Sequence, residues 1–267
     1  MTDYVSPAKP RFFAHRGFSF SPTGAPLDEN TTEAFAAAIS AGARYLETDI
    51  QASSDGVAFA FHDGVLGRVL GHHSPSAEAF VGKNLAATRI EELSAAEIGQ
   101  IRLEHGGSIP TLESLLTLFP NAYFNLDVKS PAAIAPTAEV INRLGCFDRV
   151  LVSSFDGGRR RRTLALLRER VATSADRDLV LLVVVLRSVG LGRLLERALR
   201  GIDALQIPAK FGFIRFDSKQ FIAAVHKAGA EVHFWTINEP QEMQRLLALG
   251  ADGIVTDRID RALALGR

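Results

Sequence analysis

Cysteine is nearly missing from this 267-residue chain: Cys146 stands alone, which excludes a disulfide within the chain. The opening Met1-Thr2-Asp3-Tyr4 shows no basic stretch followed by an apolar one, so no secretory leader is read there. Together these point to a reducing, cytoplasmic setting. Long apolar runs are also missing, since the longest, Leu179 to Leu186, falls far short of the ~20 residues a helix needs to cross a bilayer. No membrane span is expected. Net charge is absent as well: 30 Lys and Arg balance 30 Asp and Glu, leaving no positive excess to hold a polyanion. Nucleic acid is therefore not expected as a partner.

What is present is the composition of an ordinary globular protein, 47% hydrophobic and 22% charged, long enough for a sizeable core. Strand-like and helical runs alternate almost from end to end, the pattern of an α/β protein with a parallel sheet. The strand candidates are 11–15, 44–50, 57–62, 122–128, 150–154, 179–185, 204–208, 232–236 and 253–256. Helical spacing marks 31–41, 111–119, 160–171, 191–199, 218–228 and 241–249. Segments 44–50 and 57–62 are separated only by Gln51 to Gly56, too short for a crossover helix, and Asp55-Gly56 is a turn signal. A hairpin there sets His62 roughly opposite Glu47 and leaves eight barrel strands plus one arm. A tight parallel return, making 57–62 a barrel strand, is the alternative. Residues 64–105 are polar and irregular with one short helical piece near 95–101, and read as an insertion over one end of a single barrel domain spanning 1–267.

Chemistry gathers where strands end. Glu47 and Asp49 point to the same side by strand alternation, and two carboxylates sharing a pocket call for a cation. Asp127, in Asn125-Leu126-Asp127-Val128-Lys129, adds a third, so one divalent ion, Mg²⁺ or Ca²⁺, is expected on these oxygens. His15 follows Phe12-Phe13-Ala14, and His62 follows Phe59-Ala60-Phe61. Two imidazoles that titrate near neutrality can exchange donor and acceptor roles across a displacement at phosphorus. Arg16 and Lys129 supply fixed positive charge suited to phosphoryl oxygens.

These residues sit in His15-Arg16-Gly17, Glu29-Asn30-Thr31, Glu47-Thr48-Asp49, Asp55-Gly56 with His62-Asp63, Asn125 to Lys129, Val152 to Phe155, Trp235 to Asn238 and Gly253 to Asp257. In this order, from residue 11 to about 257, the chain resembles the glycerophosphodiester phosphodiesterase family. The resemblance implies a metal-dependent hydrolase on a TIM (β/α)₈ barrel of the PLC-like phosphodiesterase type, with an insertion after the His-Asp motif. Its substrate is a small glycerophosphodiester, cleaved to an alcohol and glycerol 3-phosphate, which places the chain in glycerol and lipid metabolism. It implies catalytic roles for His15 and His62, metal binding by Glu47, Asp49 and Asp127, and substrate binding by Arg16, Lys129 and an aromatic wall at Trp235. The family more often has Glu at Asp127, so the carboxylate here is one methylene shorter. The loop Ser21 to Leu27 also lengthens the link between two motifs and bears on substrate size.

Single residues have duller readings. Asn30 or Thr31 is a normal N-cap for the helix that follows, with Glu29 steadying Arg16. His72, His73, His105, His226 and His233 are expected in solvent without companions. Arg159 to Arg162, with Arg168 and Arg170, read as a solvated helix face. Two rival functions remain open: a lipid-headgroup phosphodiesterase similar to sphingomyelinase D or lysophospholipase D, using Phe80-Val81 and Phe211-Gly212-Phe213-Ile214 as an apolar surface, or a non-catalytic binding barrel. Sequence leaves open which histidine is the acid, whether the nucleophile is water or the substrate's 2-hydroxyl, and the oligomeric state.

Overall fold

The computed structural model describes residues 3–6, 8–21, 23–70 and 84–266; His72, His73 and Phe80-Val81 lie outside them. The elements run β1 Arg11–His15, α1 Thr32–Ala41, β2 Tyr45–Ala52, β3 Ala58–Ala60, α2 Ala95–Gln100, α3 Leu112–Leu118, β4 Tyr123–Val128, α4 Ile134–Leu144, β5 Val150–Ser153 and α5 Gly157–Ala165. They continue with β6 Ala172–Thr173, α6 Arg177–Ser188, α7 Gly192–Ala198, β7 Ala204–Ile207, β8 Lys210–Phe211, β9 Ile214–Arg215, α8 Lys219–Lys227, β10 Glu231–Phe234, α9 Pro240–Ala248, β11 Gly253–Thr256 and α10 Ile259–Ala264. Eight parallel strands in the order β6-β5-β4-β2-β1-β11-β10-β7 form a (β/α)₈ barrel. A parallel bridge from Ser174 to Ala204 joins its ends, helped by Ala175 N–H donating to the Ala204 carbonyl at 2.9 Å. β3 pairs antiparallel with β2 (Ile50 with Ala60, Ala52 with Ala58), so 57–62 is a hairpin arm.

Strand alternation sorts the side chains into two layers. Phe12, Leu46, Phe124, Val152, Leu205, Phe234 and Ile254 point outward into the core shared with the helices. Phe13, Tyr45, Leu151, Ala172, Ala204 and Val255 point inward, and Tyr4, fully buried, plugs the lower end by packing edge-on against Tyr45 and Tyr123. The arm has its own apolar cluster, in which Phe59 and Phe61 pack with Leu66, Leu85, Ile90, Leu93 and Ile98. Within it α2 starts on a capping box between Ser94 and Glu97. No helix among the described residues is long and apolar enough to cross a membrane.

Residues 179–185, expected as a strand, lie instead in α6, and the strand at this point is the two-residue β6. The β-branched run favours a strand locally, but Asp176 accepts from Leu179 N–H at 3.0 Å and caps a helix that buries Val180 and Val183 while leaving Leu181, Leu182 and Val185 exposed. In the arginine run Arg161, Arg162 and Arg168 are exposed as expected, but Arg159 and Arg160 are a second correction. Arg160 is buried in an ion pair with Asp176 at 3.0 Å, and Arg159 reaches inward to the Val128 carbonyl at 2.9 Å. A third concerns His233, which is fully buried inside the barrel beside Glu231 at 3.0 Å, in a cluster where Glu231 also meets Arg11 and Lys9, each at 3.2 Å. His226 pairs with Asp252 at 2.7 Å.

Asp176 both caps α6 and neutralises Arg160. Asp176→Ala therefore leaves a buried guanidinium unpaired and is expected to cost about 3–5 kcal/mol, read as a shift in the urea unfolding midpoint. Burial opposes the charge of Asp252, but Lys9, the Val232 N–H and His226 outweigh it and hold the carboxyl below the usual range. A depressed carboxyl stabilises the fold above its unfolded value, about 3.9, and loses that contribution as pH falls through the folded value. Thermal melts between pH 6 and 3 are expected to fall less steeply for Asp252→Asn than for the parent.

Candidate active site

The C-terminal ends of the barrel strands surround a cavity of roughly 330 Å³ lined by His15, Arg16, Glu47, Asp49, His62, Asp127, Lys129 and Trp235 among others. All eight residues singled out from sequence thus face one space. Strand register explains the convergence: His15 pairs with Glu47 across β1 and β2, and Asp49 with Asp127 across β2 and β4. His62 arrives on the arm, where Phe61 N–H donates to the Asp49 carbonyl at 2.8 Å.

The turn after β1 is backbone-constrained. Arg16 takes a left-handed φ of 57°, and its N–H donates to both the carbonyl of Glu47 at 3.0 Å and the Glu47 carboxylate at 3.2 Å. Gly17 follows with φ 89°, and a Cβ there would lie 2.7 Å from Ala34, so only glycine lets α1 approach. Asn30 is likewise left-handed at φ 56° and is not the cap of α1, a role that falls to Thr31, whose side chain accepts from Ala34 N–H at 3.2 Å. Asn30 instead donates to Asp49 at 3.4 Å and accepts from Thr48 at 2.8 Å.

Charge is dense here. Lys129 Nζ bridges Asp49 at 2.8 Å and Asp127 at 2.7 Å, and Arg16 pairs with Asp49 and Glu29, each at 3.0 Å. Burial opposes ionisation of Asp49, but Lys129, Arg16 and His62 outweigh it and hold this carboxyl below its usual range. Burial, with Asp49 beside it, pushes Glu47 up to about 7, although His15, Lys129 and Arg16 pull the other way. Burial also raises Asp127, although Lys129 pulls the other way. Burial disfavours the charged form of His15, yet the Asp257 carboxylate and Glu47 reverse this and raise it.

Three buried carboxylates thus face two fixed cations. The second oxygen of Asp127, Oδ1, is buried and has no hydrogen-bond partner among the described residues. An unmatched hard oxygen, together with a glutamate that ionises reluctantly, fits a divalent cation. Among the described residues no three His, Cys, Asp or Glu side chains already stand as a ligand group, and the Lys129 ammonium lies between Asp49 and Asp127.

Several members of the site carry no assigned role in the sequence reading. Asp257 meets His15 Nδ1 at 2.6 Å, and Asn238 donates to Asp257 at 2.8 Å, fixing it from the other side. Asp63 meets His62 Nδ1 at 2.6 Å. Arg68, from the segment after the arm, bridges Asp63 and Glu29. The available signal was that Asp257, Asn238 and Asp63 lie inside the quoted motifs; nothing in the sequence pairs Arg68 with residues 39 and 5 positions away.

Residues 15–261 match the profile of the Glycerophosphoryl diester phosphodiesterase family. Probable glycerophosphodiester phosphodiesterase 2 of Mycobacterium tuberculosis is 38% identical over 247 residues, covering 92% of this chain and 87% of that protein. Among solved structures, a putative glycerophosphoryl diester phosphodiesterase from Silicibacter pomeroyi superposes with a TM-score of 0.73 at 23% identity, over 99% of this chain and 97% of that one. A phosphodiesterase from Oleispira antarctica, solved with the product sn-glycerol-3-phosphate, gives 0.69 at 22% identity over 96% of each chain. A profile match over nearly the whole barrel and a relative this similar place the chain in the glycerophosphoryl diester phosphodiesterase family.

Proposed function

We propose that the chain hydrolyses glycerophosphodiesters to an alcohol and glycerol 3-phosphate, with His15 and His62 as its acid/base pair. The observation that carries this reading is that each imidazole is held through Nδ1 by its own carboxylate, Asp257 or Asp63, at 2.6 Å, while both line one cavity with Arg16 and Lys129. Such a carboxylate fixes the ring's tautomer and orientation, leaving Nε2 for the reactant.

Arg16 and Lys129 bind the phosphoryl oxygens, and Trp235 flanks the glycerol. One histidine takes the proton from the attacking hydroxyl as its oxygen bonds to phosphorus. The other delivers a proton to the departing alkoxide as the second phosphorus–oxygen bond breaks. Glu47, Asp49 and Asp127 hold a divalent cation, Mg²⁺ or Ca²⁺, which when bound supplies Lewis-acid polarisation of the phosphoryl group. Glu29 keeps Arg16 in place, and Asn30 steadies Asp49. The lone thiol and balanced charge fit a protein acting in a reducing compartment on small molecules.

His15→Ala and His62→Ala are each expected to lower kcat on glycerophosphocholine by about 10²–10⁴-fold with unchanged circular dichroism; near-normal turnover of either refutes the pair. Chelation is expected to abolish activity and added Mg²⁺ or Ca²⁺ to restore it. Titrated by calorimetry, Asp127→Asn is expected to need at least tenfold more metal for half-saturation, and chelator-insensitive turnover defeats the metal assignment.

A further inference from the structure

Arg68 stands where two parts of the site meet, and its guanidinium forks twice. Nε and Nη2 donate to Asp63 at 2.5 and 3.2 Å, while Nη2 and Nη1 donate to Glu29 at 2.5 and 3.3 Å. Asp63 is the carboxylate that holds His62, and Glu29 is the one that holds Arg16. One side chain therefore completes a line from the imidazole on the arm to the phosphate-binding cation on the turn after β1. Arg68 itself is not among the residues that line the cavity, so whatever it does passes through these two partners.

A half-exposed arginine in a surface ion pair ordinarily adds little to stability and is free to swing. Here the backbone fixes where it starts. Leu66 is buried in the arm's apolar cluster and donates its N–H to the Thr88 carbonyl at 3.1 Å, and Gly67 and Val69 donate theirs to Ala86 and Leu66, each at 3.1 Å. A Cβ on Gly67 would lie 2.7 Å from the Ala86 oxygen, so only glycine lets this turn sit so close. Glu29 is fixed from its own side. Asp28 before it accepts from the N–H groups of His105 and Gly107, both at 3.0 Å, and Asn30 after it donates its N–H to the Arg16 carbonyl at 2.8 Å.

Charge points the same way. Asp63 and Glu29 share one guanidinium, so its loss leaves two carboxylates repelling each other across the junction between arm and barrel. Burial opposes ionisation of Asp63, but Arg68, with His62, outweighs it and holds this carboxyl below its usual range, the state that accepts from His62 Nδ1–H. An ammonium in place of the guanidinium is a point charge without two planar edges to offer.

Resting on the phosphodiesterase reading, we propose that Arg68 is a positioning residue, which sets the His62 arm against Arg16 so that the imidazole meets the bound phosphoryl group at a fixed separation. Its loss frees the arm. Proton transfer then suffers more than substrate binding, because Arg16 keeps Asp49 at 3.0 Å and Lys129 is untouched.

The test measures turnover of glycerophosphocholine with Mg²⁺ or Ca²⁺ present. Arg68→Ala is expected to lower kcat by about 10–100-fold while KM moves by less than about threefold and circular dichroism is unchanged. Arg68→Lys, which keeps the charge and loses the double fork, is expected to stay slower than the parent by at least about threefold. Because Asp63→Asn acts on the same imidazole, its combination with Arg68→Ala is expected to lower kcat little beyond the larger single loss. A parent-like kcat in both Arg68 variants overturns the positioning role and leaves the phosphodiesterase reading standing. So do losses in kcat that multiply in full in the double variant, or a KM that rises as far as kcat falls. No turnover by the parent overturns both.

Discussion

An imbalance of buried charge organises this molecule. Three carboxylates stand at the mouth of a barrel against two fixed cations, in a place too dry for either sign to be left alone. Asp49 takes both Arg16 and Lys129, which leaves Glu47 pushed up to about 7 and one oxygen of Asp127 unmatched. The same imbalance draws in the outer residues. Glu29 and Asp257 answer Arg16 and His15, and Arg68 answers Glu29 and Asp63, so an ion-pair chain runs from the barrel mouth to the segment after the arm. A substrate phosphate entering this network meets cations already aimed by their partners, the preorganisation on which electrostatic stabilisation of a phosphoryl transition state depends.

Rigidity at the far end makes that aim possible. Tyr4, Tyr45, Tyr123 and Phe13 fill the lower barrel, and Arg11 and His233 are buried there with Glu231 between them. A close-packed plug of this kind is hardly compressible, so the strand ends carrying His15, Glu47, Asp49 and Asp127 stand on a stiff base. The elements that stand out from that base are the His62 arm, the β8–β9 hairpin and α6, and these shape the two ends of the cleft.

Much of the fold and the candidate site was legible. Alternation in β2 puts Glu47 and Asp49 on one face whatever the fold, and either return after Asp55-Gly56, hairpin or parallel, carries His62 beside them; the antiparallel pairing of β3 with β2 decided for the hairpin. Where the reading failed, the neighbours had decided. Seven β-branched and aliphatic residues from Leu179 read as a strand, but a single capping carboxylate and a surface that needs covering only at Val180 and Val183 make them helix. β6 is too short to leave a pattern. His233 looked solitary because its partner, two residues earlier, is also inside the barrel, and Arg160 looked solvated because Asp176 lies sixteen residues on.

By itself the sequence determined which side chains share a face, where turns fall and what chemistry is on offer, because these follow from spacing along one strand or loop. Only the tertiary structure decided which carboxylate each cation neutralises, that Asp257 and Asp63 hold the two imidazoles, and that one half of the cleft is apolar. The His15–Asp257 contact and the apolar half of the cleft depend on barrel closure, which brings β1 beside β11 and aligns the ends of β5, β6 and β7, and no local pattern records a contact between residues more than two hundred positions apart.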